Sequence, residues 1–252
     1  MKIFITIFNR WPACYTLFLV AIAWEGTSRF YPSVIIPSPL ETISTLQQMI
    51  GTRSFWDSLW LTFLRLVGGF SIAFMSGALL GSLIGRYNKA YKITRPLVVI
   101  IQSIPPVSWI LLAILWFGIN GGAQMTVVAL SLFPIFFFHT SQAIRQVPIE
   151  LLELAQVYEV GFIKTMKAIY IPSIKPLWMS AMIITVGIGW KTIVMAEVIS
   201  GQTGIGAVMN TSRIYLKTDE VIAWTLVVAC LGISTEAVMR KLSGGGGLRN
   251  EI

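Results

Sequence analysis

The sequence predicts an all-α, polytopic membrane protein with about six transmembrane helices. Three observations carry that expectation. Of 252 residues, 55% are hydrophobic and only 12% are charged, and the mean hydropathy is +0.75. Soluble domains carry roughly 25% charged side chains, so this chain has too few charges to cover a water-facing surface. Apolar runs recur along the sequence, each near the length of about 20 residues that a bilayer crossing needs. Finally, the basic residues outnumber the acidic ones 19 to 11, for a net charge of +8, and they collect on alternate connecting segments.

In chain order the candidate spans are 12–30, 58–85, 96–118, 122–143, 177–199 and 221–239. The first follows Lys2 and Arg10. Its apolar run passes Ala21-Ile22-Ala23, which resembles a signal-peptidase site. The run nevertheless continues through Trp24 toward Phe30 and Tyr31, which favours a retained helix. Residues 30–57 are polar, with Pro32, Pro37 and Pro39. An amphipathic stretch over 42–49 follows, as expected of a segment lying on the membrane surface.

The second span places Gly69, Ala73, Gly77, Gly81 and Gly85 four residues apart. Such a stripe admits another helix to backbone contact. Packing within one protomer, a dimer seam and a surface that slides during transport all fit it. The third span, 96–118, holds no charge, but Ser103-Ile104-Pro105-Pro106 interrupts it in mid-membrane. Each proline removes a donor and displaces the carbonyl four residues back. Freed backbone at that depth is tolerated where it is buried in protein or lines a cavity, so a plain kink and a pathway-lining break both stand.

Intramembrane charges are few. Glu25 and Arg65 lie toward the ends of the first two spans, and Lys191 lies deep in the fifth with Glu197 six residues on. Six residues is about 600° of helix rotation, so the two point to different faces. A charge at mid-bilayer faces a partner or water. Lys191 is therefore either neutralised by another helix or exposed to a polar pathway. The stretch Ser200-Gly201-Gln202-Thr203-Gly204-Ile205-Gly206 suits a tight turn back toward the membrane, as an outer gate or as an ordinary connection. His139, the one histidine, reads as a helix-packing residue with a satisfied side chain.

Orientation follows from charge. With the N-terminus cytoplasmic, the inside segments hold thirteen basic residues, among them Arg86, Lys89, Lys92, Arg95, Arg145, Lys164, Lys167, Lys175, Arg240 and Lys241. The outside segments hold four: Arg29, Arg53, Arg213 and Lys217. This asymmetry predicts that both termini are cytoplasmic, and it makes most of the +8 topological. No nucleic-acid partner is indicated.

Several chemistries are excluded. Cys14 and Cys230 lie in separate apolar runs and suggest neither a disulfide framework nor a thiolate metal site. A single histidine builds no metal cluster. Gly187-Ile188-Gly189-Trp190-Lys191-Thr192 is not a phosphate loop, because Trp190 stands directly before the lysine, where a glycine is required. The expectation is no catalytic residues, no metal and no ATPase activity in this chain.

Residues 144–176 form a connecting segment too long for a tight turn, and loops of that length are usually functional. Its pattern is helical, with Ile149, Leu152, Ala155 and Gln156 on one side, then Gly161 and a second helical run to Tyr170. With Glu153 as position one, Ala155 is position three, Ile169 seventeen, Ile171 nineteen and Pro172 twenty. This resembles the Glu-Ala-Ala coupling loop of ABC importer permeases, whose pattern ends Ile-x-Leu-Pro. Leu154 departs at the second small position. Glu159 stands where the pattern has its glycine, which leaves Gly161 to supply the turn. The likeness to the nitrate/sulfonate/taurine-type permease group extends over nearly the whole chain. It is carried by Pro37-Ser38-Pro39, Thr62, Arg65, Pro105-Pro106, Leu115-Trp116-Phe117-Gly118, Phe133-Pro134, Trp190, Ala196-Glu197 and Gly204-Ile205-Gly206.

The resemblance implies an ABC importer permease fold of the type I kind, a single transmembrane permease domain over 1–252, and the run Ser243-Gly244-Gly245-Gly246-Gly247 reads separately as a flexible tail at 243–252. It implies alternating access driven by a separate ATPase in the bacterial inner membrane. Two permease protomers, as a homodimer, would form the pathway; two ATPase subunits would dock under the coupling loops and hold ATP and Mg; an extracytoplasmic binding protein would deliver a small polar or anionic solute. This chain itself would bind no cofactor. The coupling-loop candidates are Glu153, Ala155, Glu159, Gly161, Ile169 and Pro172. The pathway candidates are Pro105, Pro106, Trp109, Trp190 and Lys191. The outer-gate candidates are Glu197, Gly204 and Gly206. The rival reading is an ion-coupled secondary carrier using Lys191, Glu197 and Glu236. Which solute is carried is not readable from these residues.

Overall fold

A computed structural model describes residues 12–243, all of them in helices and the turns between them. The helices are α1 (Pro12–Ser28), α2 (Pro39–Ile50), α3 (Arg53–Gly85), α4 (Asn88–Ser103), α5 (Pro106–Phe117), α6 (Gly121–Arg145), α7 (Ile149–Val157), α8 (Phe162–Ser200), α9 (Ile205–Ile214) and α10 (Thr218–Leu242). A widened turn at Met166–Tyr170 lies within α8. Lys2 and Arg10, and the tail from residue 244 onward, fall outside the described residues.

Among the described residues α3, α6, α8 and α10 are each long and apolar enough to cross a membrane. The described part of α1 is apolar but 17 residues long, about 26 Å at 1.5 Å per residue, slightly under a hydrocarbon core of about 30 Å. The third predicted span departs most from expectation. It begins earlier, at Asn88, and α4 and α5 meet at a bend of 92°. The cause is local. Ile104 and Pro105 both precede a proline, which disfavours the helical region, and both are extended, at ψ 126° and ψ 141°. The charge-free stretch 96–118 is therefore divided between two short helices at nearly a right angle.

Segment 30–57 folds as a capped helix. Ser38 accepts from the Glu41 amide at 3.2 Å while the Glu41 carboxylate accepts from the Ser38 amide at 2.9 Å, a reciprocal cap with Pro39 in the first helical position. The inner side of α2 packs on α10, with Thr45 Oγ1 donating to Asp219 at 2.7 Å and Leu46 and Met49 against the core.

The small-residue stripe of α3 faces α6 of the same chain. A Cβ on Gly77 would stand 2.6 Å from Phe136 Cβ, and one on Gly81 2.8 Å from the Phe137 carbonyl. Of the three readings open in the sequence, packing within the protomer is the one realised. Phe136 is fully buried and meets Phe70 and Phe74 edge-on at 5.3 Å, a preferred aromatic geometry. Phe55 stacks on Trp224 at 4.7 Å and joins α3 to α10. His139 sits beside this core, but its Nδ1 is buried without a hydrogen-bond partner, contrary to the satisfied packing role expected of it.

Gly77→Ala should destabilise the fold by about 1–3 kcal/mol through overpacking. Gly232→Ala on α10, where an added Cβ meets nothing within 4 Å, should be neutral or mildly stabilising. Thermal unfolding in detergent measures both. Equal effects at the two glycines would contradict the close α3–α6 approach.

Candidate functional site

At the end of the bundle remote from segment 144–176, charges converge between α3, α8 and α9. Glu197 is fully buried, and Arg65 is 8% exposed. Their ion pair closes at 2.8 Å. Arg65 also reaches across the turn after α8, its Nη1 donating to the Thr203 carbonyl and its Nη2 to Thr203 Oγ1, each at 2.7 Å. Thr62, one turn before Arg65, donates to Glu197 Oε2 at 2.8 Å. An unpaired charge buried here would be costly, and the two charges neutralise each other.

The same carboxylate caps α9. The Gly206 amide donates to Glu197 Oε2 at 3.1 Å, and the Ile205 amide donates to Thr62 Oγ1 at 2.9 Å. Helix N-termini leave their first amides without intrahelical partners and favour a nearby negative charge. Both needs are met by side chains from α3 and α8. Gly204 makes the approach possible. Its φ of +100° suits glycine, and a Cβ there would collide with the Glu197 carboxylate. The three outer-gate candidates, Glu197, Gly204 and Gly206, thus meet in one cluster. Sequence reading assigned Arg65 no partner, neither Thr203 nor Glu197, which neutralises its charge. The available signal was that Arg65 and Glu197 are opposite charges within apolar spans, where charges pair.

The pathway candidates are not brought together. Trp190 is 2% exposed and its Nε1 donates to Thr235 Oγ1 at 3.1 Å, which makes it a core tie from α8 to α10. Trp109 packs on the Ile110–Ala196 cluster with its Nε1 unpartnered. Pro105 is exposed and Pro106 half-buried at the right-angle bend. Lys191 is exposed, and no acid of the described residues neutralises it. Among the described residues no cluster of His, Cys, Asp or Glu suits a metal ion.

At the other end, segment 144–176 is a small packed unit. Ala143, Val147, Tyr170 and Ile174 form its core, with Leu152 and Ile169 packed against it. Ala155 is buried, whereas Glu153, Gly161 and Pro172 are exposed. The turn after α7 corrects the sequence reading. The Val160 amide donates to the Ala155 carbonyl at 2.8 Å and the Glu159 amide to the Gln156 carbonyl at 3.1 Å, the paired bonds of a Schellman ending. That ending needs a left-handed residue, and Glu159 supplies it at φ +51°. Gly161 has φ −58° and opens α8. The turn therefore stays at the position where the permease pattern has glycine, and Gly161 does not replace it.

Comparisons with known proteins agree with this architecture. Residues 77–244 match the family described as the binding-protein-dependent transport system inner membrane component. The chain is 31% identical over 213 residues to the putative aliphatic sulfonates transport permease protein SsuC of Escherichia coli (strain K12), covering 84% of this chain and 78% of that protein. It is 23% identical over 247 residues to the taurine transport system permease protein TauC of the same organism, covering 92% and 90%. Its fold is similar to a chain in the crystal structure of a bacterial ABC transporter involved in the import of the acidic polysaccharide alginate, with a TM-score of 0.64, 16% identity, and coverage of 96% and 98%. The all-α, polytopic architecture is that of ABC importer permeases.

A left-handed non-glycine residue costs about 1–2 kcal/mol, so Glu159→Gly should stabilise the turn by about 1 kcal/mol. Gly161→Ala should stay within about 0.5 kcal/mol, since its φ is ordinary and nothing lies within 4 Å of an added Cβ. Amide hydrogen exchange across 158–162 reads both; a costly Gly161→Ala with a neutral Glu159→Gly would contradict the assignment.

Proposed function

The chain belongs to the binding-protein-dependent transport system inner membrane component family, and on that premise we propose that it forms the translocation pathway of an ATP-driven importer for a small sulfonate- or taurine-like solute. The relatives named for aliphatic sulfonates and taurine support the solute class. In this reading the permease acts as a homodimer, two ATPase subunits hydrolyse ATP beneath it, and an extracytoplasmic protein delivers the solute. Both termini face the cytoplasm, in keeping with the thirteen-to-four bias of basic residues.

The observation that carries the partnership is the exposed surface of segment 144–176. Its inner side is packed, but Leu154 is 54% exposed and Phe162 65% exposed, with Val157 and Ile163 also bare. Apolar side chains grouped around Glu153 and Glu159 suit a docking face with a hydrophobic centre and a polar rim. The unit is anchored by Tyr170 and Ile174, and Ile174 lies on the same helix, α8, that carries Lys191 and Glu197. A displacement at the docking face would therefore be transmitted along one rigid element to both. Lys191, exposed and without a carboxylate partner, is the candidate contact for an anion in the pathway. The ion-coupled alternative gains nothing from the geometry. Glu197 is paired with Arg65 and Glu236 with Arg240, and neither meets Lys191.

Replacing Glu153 by Ala or Arg should uncouple the machine. Loss of a charge-assisted contact is worth about 1.5–3 kcal/mol, so solute uptake into proteoliposomes should fall about tenfold or more while the ATPase still hydrolyses ATP. Uptake at the wild-type rate in both variants would contradict the proposal.

A further inference from the structure

Between α4 and α6, on the side of the bundle next to segment 144–176, lies an open groove of about 610 Å³, within the usual range for small-molecule sites. Helical spacing builds it. Tyr91, Arg95 and Gln102 lie down one face of α4, and Gln142 and Arg145 lie down the facing side of α6 with Gln146 just past its end. Two guanidinium groups and three carboxamides line it, and no carboxylate does.

The two arginines differ from most others in the structure. Arg29, Arg53, Arg65 and Arg240 each pair with an acid, whereas neither Arg95 nor Arg145 forms an ion pair among the described residues. Arg145 is instead held over the Tyr91 ring at 4.5 Å. A cation–π contact of this kind fixes the guanidinium plane and leaves its in-plane N–H edges able to donate. Concave walls with charge of one sign focus the potential and attract a counter-charge.

We propose that this groove binds a tetrahedral oxyanion head group, a sulfonate or a phosphate. The guanidinium fork matches tetrahedral oxyanions, and the carboxamides supply further donors. A cation would meet two uncompensated positive charges, and a neutral solute would leave both arginines unmatched. The site goes beyond the transport reading and does not depend on coupling to an ATPase. The head group can come from a soluble sulfonate or from an anionic phospholipid, and the two sources give separate results.

The experiment uses the full-length permease in nanodiscs. Binding of radiolabelled methanesulfonate is measured in discs of phosphatidylcholine alone. Retention of phosphatidylglycerol over phosphatidylcholine is measured by native mass spectrometry. Wild type should bind one of these probes saturably, with an affinity that falls as salt rises. Arg95→Gln with Arg145→Gln should weaken that binding about tenfold or more. The Arg95→Lys, Arg145→Lys pair should retain part of it, and Lys92→Gln, exposed on α4 but outside the groove, should leave it unchanged. A response to methanesulfonate assigns the site to a solute, and a response to phosphatidylglycerol assigns it to lipid. Wild-type binding of neither probe, equal binding by the double glutamine variant, or an equal loss in Lys92→Gln would overturn the proposal. Loss of ATP-driven uptake with binding intact would bear on the transport reading alone.

Discussion

Arg65 and Glu197 occupy a depth at which neither charge would be tolerated alone. Desolvating a guanidinium and a carboxylate is compensated only by good geometry and by partners for the remaining donors and acceptors. The structure supplies both: a 2.8 Å contact, the Thr203 carbonyl and hydroxyl for the arginine, and Thr62 and the Gly206 amide for the glutamate. Four elements are fixed by this one neutralisation. These are α3, the end of α8, the turn 201–204 and the start of α9. Removing one partner of such a buried pair costs about 3–5 kcal/mol, so the pair is the main constraint on how the chain folds back after α8.

The other constraint is backbone proximity. Small residues on α3 let α6 approach until backbone and Cβ atoms touch, the kind of contact that holds helices together where lipid is as apolar as the side chains. Because α6 leads directly into α7 and α8 rises from the same packed unit, the two long helices that bracket segment 144–176 are both tied to α3. The frame is thus continuous from the charge cluster at one end to the exposed connecting segment at the other.

Much of this was legible in the sequence. Apolar length located the spans, and the four-residue repeat of Gly69, Ala73, Gly77, Gly81 and Gly85 identified a contact face. The repeat could not say which helix would meet it, because a small residue records that something approaches and not what. Pro105 and Pro106 marked a break, and the extended residue before each proline makes the bend, but its angle of 92° is set by backbone torsions that the dipeptide alone does not fix. Helix rotation separates Glu197 from Lys191 but names no partner for it, because that partner, Arg65, lies 132 positions earlier. Trp190 stood among the pathway candidates through the family resemblance; its burial against α10 is a tertiary fact. Glu159 is a different case. The pattern required glycine there, and the chain keeps the left-handed turn with a residue that disfavours it. The surrounding hydrogen bonds, rather than local propensity, hold that shape.

The account rests on the claim that the Arg65–Glu197 pair anchors α9 and the glycine-rich turn. Amide hydrogen exchange across residues 201–214, measured on the permease in nanodiscs, addresses it most directly. In Arg65→Met, which leaves the Glu197 carboxylate unpaired, exchange at Ile205 and Gly206 should accelerate about a hundredfold or more. In Arg65→Met/Glu197→Gln, where no charge remains, part of that protection should return. Exchange at these two amides unchanged by the single substitution, or a double variant as exposed as the single, would contradict the claim.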